Sequence, residues 1–174
     1  MEYLLETEHL HIRKFRAEDA QPLFQIHLDE EVKKWFPNES YADLEEAQVA
    51  IDFFADRVNA GRLPYVLAVE RKETGELIGD TGISEVEGKP NEVEVGYVIC
   101  KEHRGKGFAT ELLGAMTDFV ASTFGTKVLY GRVMHGNLAS AKVFEKNGYA
   151  FVTEEFGAED DPYGNGMLVY KAER

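Results

Sequence analysis

The sequence predicts a mixed α/β fold, and three observations carry that reading. Stretches alternating between apolar and polar residues, as half-buried strands do, recur along the chain. Between them lie stretches whose apolar residues repeat at helical spacing. Residues 92–116 (EVEVGYVICKEHRGKGFATELLGAM) join the two patterns: a strand, a glycine-rich turn and a helix, with a further strand at 127–135. A strand, helix and strand in that order form a βαβ unit, whose two strands run parallel. The 174 residues, 44% of them apolar, suit one domain with a sizeable core, spanning 1–174.

Residues 9–16 (HLHIRKFR) alternate, with Leu10, Ile12 and Phe15 facing inward, and read as the first strand. A helix opens at Ala17, acidic in its first turn as the helix dipole favours. It buries Leu23, Phe24, Ile26, His27 and Leu28, and Pro22 falls in its first turns, where proline is tolerated. Residues 32–37 (VKKWFP) read as a loop that displays two aromatics. A second helix covers 43–59, with Leu44, Ala47, Val49, Ala50, Ile51, Phe53, Phe54 and Val58 as its apolar stripe and Gly61 ending it. Strands at 64–71 and 77–86 form a hairpin about a turn at 73–76. A turn at 88–91 leads into the strand at 92–100. In the helix that follows, Phe108, Ala109, Leu112, Leu113, Met116, Phe119 and Val120 share a face. After the strand at 127–135 comes a short helix at 137–147, closed by Gly148. A last hairpin, 149–156 with 167–171, encloses an acidic loop at 157–166.

Composition narrows the function. Acidic residues outnumber basic ones by 32 to 19, a net charge of −13, which argues against nucleic acid as a ligand and favours a cationic one. No apolar run approaches the ~20 residues of a membrane span, and the first ten residues are too polar for a secretory signal. A single cysteine excludes an internal disulfide, and no Cys/His spacing resembles a metal site. The expected setting is cytoplasmic, with no metal.

The loop Arg104-Gly105-Lys106-Gly107-Phe108-Ala109 has the makings of an anion site. Its glycines bare backbone N–H groups at a helix N-terminus, with two cations beside them. The phosphate loop with Gly-Lys-Ser/Thr is absent. The dinucleotide fingerprint fails too, because Thr110 stands where its third glycine belongs. What fits is Arg-x-x-Gly-x-Ala at Arg104, Gly107 and Ala109, which resembles the pyrophosphate loop of the GNAT superfamily of acyl-CoA-dependent N-acyltransferases. The resemblance extends from about His9 to Lys171. It is nearest to the branch that acetylates the N-terminal amines of ribosomal proteins, on residues 7–13 (TEHLHIR), Glu94-Val95-Gly96-Tyr97 and 137–149 (NLASAKVFEKNGY).

The resemblance implies a central, mostly antiparallel sheet with one splayed parallel pair and helices on both faces. It implies acetyl transfer from acetyl-CoA to a primary amine, a protein N-terminus or a small molecule, by direct attack in a ternary complex. A homodimer is compatible with it. The alternative is a non-catalytic acyl-CoA-binding or regulatory module. By position, the amides of Arg104, Gly105, Lys106, Gly107, Phe108 and Ala109 would hold the pyrophosphate. The pantetheine arm would pair with the backbone of Tyr97, Val98 and Ile99, and Asn137 and Ser140 would meet the arm and its thiol end. Asn137 also fits an N-cap accepting from the Ser140 amide. Glu94 matches a base position, with Glu92 two residues away on the same face and His135 as a further candidate. A second family glutamate position holds Arg132. The usual proton-donating tyrosine is replaced by Phe144, which leaves Ser140 or water for that task. Cys100 is expected to be a small buried hydrophobe rather than a nucleophile. Acceptor recognition is implied for Trp35, Phe36, Pro37 and for Glu159, Asp160, Asp161 and Tyr163.

Overall fold

The computed structural model describes residues 3–157 and 166–174. Its elements are β1 (Leu5–Glu6), β2 (Leu10–Arg13), α1 (Ala20–Ile26), α2 (Glu30–Trp35), α3 (Leu44–Asn59), β3 (Tyr65–Arg71), β4 (Leu77–Val86), β5 (Lys89–Ile99), α4 (Phe108–Phe124), β6 (Val128–Met134), α5 (Leu138–Lys146), β7 (Ala150–Glu155) and β8 (Met167–Glu173). Two single 3₁₀ turns, Ala17–Asp19 and Lys101–His103, precede α1 and α4. The strands form one sheet in the order β1-β2-β3-β4-β5-β6-β8-β7. Every neighbouring pair is antiparallel except β5 and β6, as the βαβ unit requires.

Strand alternation sorts the layers. His27 at the end of α1 bonds Asp80 on β4, and Asp80 stands opposite Val98 on β5. Phe144 of α5 instead meets Gly131 of β6 and Tyr97 of β5, residues of the other strand parity. So α1 and α5 lie on opposite faces, with the core between. Leu10, Leu23, Leu67, Ile78, Leu112, Met116 and Leu129 have no exposed surface there.

The parallel pair is short. β5 and β6 pair only over Glu92–Glu94 against Val128–Tyr130. Beyond that, β5 stays with β4 as far as Ile99, and β6 stays with β8 as far as Met134. The two strands part, and the Phe144 ring bridges the gap, stacked on Tyr170 of β8 at 6.1 Å and 6.2 Å from Tyr97. Gly131 makes this possible, because a Cβ there would collide with that ring.

Four readings of the sequence need correction. Of the loop expected at 32–37, residues 32–35 instead belong to the helix α2, because Asp29 caps it by accepting from the Glu31 amide at 3.1 Å. The turn before β5 is confined to Glu87-Gly88. Lys89, Pro90 and Asn91 belong to the strand, where Asn91 takes a left-handed conformation beside a bulge. The stripe of α3 is only half inside: Ala47 and Ile51 are buried, whereas Leu44, Val49 and Phe53 are 45%, 63% and 52% exposed. Leu28 likewise falls outside the buried face of α1. The strand β1 at Leu5–Glu6 had no signal in the sequence beyond two residues of alternation.

One buried ionic knot fixes the first strand. Arg13 donates to both oxygens of Asp19, at 2.7 and 3.0 Å, and to Glu70 at 2.7 Å. Asp19 also accepts from the Arg16 amide at 2.7 Å. Burial opposes the charge on Arg13, but the two carboxylates outweigh it and raise its pKa.

At the far end of β4, Gly79 lies so close to β5 that a Cβ would collide with the Val98 carbonyl oxygen, a backbone atom with little room to move. Gly79→Ala is therefore expected to cost ~1–3 kcal/mol in urea unfolding, the usual size of overpacking. A variant as stable as the parent would contradict this packing.

Candidate active site

The loop before α4 has the backbone that its glycines suggested. Gly105 and Gly107 have φ of 75° and 85°, a region that favours glycine. Gly107 is the N-cap of α4 and supplies no side-chain cap, so the first amides of the helix point outward without an intrahelical partner. Nothing lies within 4 Å of a Cβ built on either glycine. Phe108 turns its ring into the core, 7% exposed, and leaves its backbone at the surface of the turn.

The loop forms one end of a cleft of about 420 Å³. Its walls include Tyr97, Val98 and Ile99 of β5, Arg104, Gly105, Gly107, Phe108 and Ala109 of the loop, and Asn137 and Ser140 of α5. Ten of the eleven residues expected to hold the cofactor are thus together. The exception is Lys106, which is exposed and does not line the cleft. Arg104 lines it but is otherwise engaged: its guanidinium donates to Asp29 at 2.6 Å and to the Ile99 carbonyl at 3.0 Å, and its amide donates to Lys101. Its charge is spent largely on α2. Burial alone would raise the Asp29 carboxyl, but the Glu31 amide and Arg104 hold it below the usual range.

Asn137 caps α5, accepting from the Ser140 amide at 3.3 Å, and lines the cleft as well. The Ser140 hydroxyl lies 3.1 Å from that of Tyr97. No local pattern signals this pair, because 43 positions separate its members. Burial raises the Tyr97 phenol above its usual value, and the Ser140 bond opposes the rise.

A second cleft, about 690 Å³, shares Phe36, Tyr97 and Val98 with the first. One wall is apolar: Val49, Phe53 and Phe54 of α3, with Tyr41 beside them. The other carries the carboxylates of Glu39, Asp80 and Glu94. Asp80 is bonded at 2.7 Å by His27, where burial opposes the imidazolium but the carboxylate outweighs it and raises the pKa. Although much of Glu39 is exposed, burial of its carboxyl, reinforced by the charge of Asp80, pushes it up to about 7. Burial also raises Glu94, with Arg132, 3.5 Å away, pulling it down and Glu155 pushing it up.

Glu92 is spoken for by the Tyr130 hydroxyl, 3.0 Å away, and lines none of these clefts. His135 pairs with Glu154 at 2.9 Å and is 61% exposed, also outside them. The Cys100 thiol is pushed up to about 11 by burial and by Glu102, as suits an inert packing residue. Phe36 lines both clefts and Trp35 the first, brought there by the end of α2 rather than by a loop, while Pro37 lines neither. Glu159, Asp160, Asp161 and Tyr163 lie outside the described residues. Among the described residues no group of three or more His, Cys, Asp or Glu is placed to hold a metal ion.

Comparison with known proteins agrees with this geometry. The family model for the acetyltransferase (GNAT) domain matches residues 9–150. The chain is 30% identical over 146 residues to the uncharacterized N-acetyltransferase YoaA of Bacillus subtilis (strain 168), covering 84% of this chain and 82% of that one. It is 30% identical over 149 residues to the uncharacterized N-acetyltransferase p20 of Bacillus licheniformis, covering 83% of each. The ribosomal-protein-S5-alanine acetyltransferase from Vibrio fischeri has the same fold, with a TM-score of 0.82 at 20% identity over 97% of this chain and 95% of that one. So has the spermidine N-acetyltransferase from Vibrio cholerae, solved with CoA and spermine, with a TM-score of 0.78 at 18% identity over 96% of each chain.

The sign of the Glu39 effect is testable. Its folded-state pKa, about 7, exceeds the ordinary 4.5, so the ionised form costs stability above about pH 7 and nothing well below 4.5. Glu39→Gln is expected to raise Tm near pH 8 and to leave it unchanged near pH 4. An unaltered Tm at both would mean that the carboxyl is solvated.

Proposed function

This chain belongs to the GNAT acetyltransferase family and is an acetyl-CoA-dependent N-acetyltransferase; we propose that its acceptor is a primary monoamine with an apolar body, attacking the thioester directly with Glu94 as base. The observation that carries the acceptor reading is the second cleft. One wall is carboxylate, the other is the apolar face of α3, and the cleft opens beside Tyr97 and Val98 into the one containing the glycine loop. A single ammonium can lie by Glu39, Asp80 and Glu94 while its apolar body covers Val49, Phe53 and Phe54. A second ammonium on the same molecule would have to lie against those side chains, where desolvation has no compensation, or compete for Glu46, the carboxylate of the α3 wall, which already accepts from the Ala42 amide. This also accounts for Val49 and Phe53, two large apolar residues left exposed on α3.

The cofactor side is supported by the residues gathered in the first cleft. Outward-pointing amides at Gly107, Phe108 and Ala109 suit the pyrophosphate, where the positive end of α4 adds its field. Where β5 has parted from β6, no strand pairs with the backbone of Tyr97, Val98 and Ile99 on that side, so the amides of a pantetheine arm could satisfy it. Asn137 and Ser140 border the arm's far end. Bound acetyl-CoA supplies the activated acetyl group, and these residues hold it in reach of the second cleft.

Glu94 lies on the acceptor side, and its raised pKa brings it nearer to neutrality, where a general base is most effective. Arg132 and the β5 backbone fix its position. No helix among the described residues is long and apolar enough to cross a membrane. A cytoplasmic setting and a homodimer remain part of the proposal, the first supported by the single unpaired cysteine.

Two measurements test this. In a panel of acceptors, arylalkyl monoamines are expected to exceed spermidine in kcat/KM by at least ~10-fold, or roughly 1.4 kcal/mol; a preference for spermidine would refute the apolar wall as a recognition surface. With the best acceptor, Glu94→Gln is expected to lower kcat near pH 7 by ~10²-fold, the usual size of base assistance, and to recover partly as pH rises and free amine accumulates. A small loss with the parental pH profile would remove Glu94 as base.

A further inference from the structure

We infer that Tyr97 is the proton donor to the departing thiol, taking the role that Phe144 cannot fill. The inference rests on the acetyl-transfer reading of the site and adds the residue that completes it. Phe144 is 2% exposed, carries no hydroxyl, and lies wedged against Gly131 with its ring edge facing β6. Tyr97 crosses the gap from the other side. Its residue borders both the cleft with the glycine loop and the cleft with the carboxylates, so it stands where the thioester and the amine must meet. Its hydroxyl is anchored by Ser140 on α5 at 3.1 Å, and its ring leans on Phe144 at 6.2 Å. On β5 it faces away from Glu94, so acid and base approach the junction from different sides of the strand.

The chemistry favours Tyr97 over its partner. An ordinary phenol has a pKa of ~10, close to the ~8.5 of a thiol, whereas an aliphatic hydroxyl is a far weaker acid. Burial raises the phenol and so keeps it protonated, while the Ser140 bond opposes the rise and limits the loss of acidity. As the C–N bond to the acetyl carbon forms, the C–S bond breaks and its electron pair stays on sulfur. Tyr97 gives its hydroxyl proton to that sulfur. Ser140 hydrogen-bonds the resulting phenolate and relays a proton back to it from water. The proton lost by the amine leaves through Glu94. One proton departs to solvent and one is taken up, so the step balances.

The test is single-turnover transfer, with enzyme in excess over acetyl-CoA and an amine that the parent enzyme acetylates. Tyr97→Phe is expected to slow transfer by ~10²-fold, the usual size of acid assistance, while acetyl-CoA affinity stays within about twofold. The solvent deuterium isotope effect on transfer should fall in Tyr97→Phe to the part contributed by proton transfer to Glu94, and persist in full in Ser140→Ala, which should be slowed less. A Tyr97→Phe rate within about threefold of the parent, or a loss that lies wholly in acetyl-CoA affinity, would overturn the assignment. Should Tyr97→Phe fail to fold by circular dichroism, Glu94→Gln decides: with the base gone, an isotope effect that persists supports a second proton in flight at the thiol, and its absence overturns the role. A parent protein that transfers acetyl to no amine would overturn the transfer itself, which is a different failure.

Discussion

The structure depends on the parting of β5 from β6. Parallel strands normally continue side by side until a loop ends them, because each unpaired backbone group in a dry interior carries a cost. Here pairing stops after Glu94 and Tyr130, although both strands run on. Each is held on its far side, β5 by β4 and β6 by β8, so neither can close the gap. Phe144 props it open, and Gly131 is the residue that lets the ring in. An unpaired strand edge, a helix N-terminus and a capped short helix then face one opening. A pantetheine arm with a pyrophosphate at its end supplies the complement of each.

A second constraint ties the acceptor side to that opening. Arg104 follows the strand end by five residues and grips Asp29, the N-cap of α2. The helix so held carries Trp35 and leads into Phe36, and Phe36 borders both clefts. A residue that reads in the sequence as a phosphate cation is thus chiefly a strut. In the proposed complex the phosphates fall to backbone amides, whose position does not depend on a long side chain finding its place. The same economy holds at Asn137, which caps α5 and borders the cleft with one side chain.

Most of the architecture was legible because its signals are local. The glycines at 105 and 107 require positive φ, the apolar period of α4 runs for seventeen residues, and the hairpins are marked by Gly75 and Gly88. The candidate residues were chosen by position along these elements, and Glu94, Ser140, Asn137 and all of the loop but Lys106 border the clefts. What stayed hidden has a common cause. α2 is six residues long and owes its start to a cap whose carboxylate is steadied by Arg104, 75 positions away. The Tyr97–Ser140 pair and the Glu39–Asp80–His27 cluster join segments that meet only once the sheet has formed. The exposed half of α3 misled for the opposite reason: apolar spacing reports a face that avoids water, and that face can belong to a cleft as well as to a core.

The central claim is that the glycine turn at the mouth of the parted strands holds the pyrophosphate of acetyl-CoA. Calorimetric titration of acetyl-CoA into the parent and into Gly107→Glu tests it most directly. The substitution places a side chain and a negative charge where a Cβ meets only open space. The account predicts at least ~10-fold weaker binding, roughly 1.4 kcal/mol, by a variant that still folds. An unchanged Kd in the folded variant would contradict it and place the anion site elsewhere.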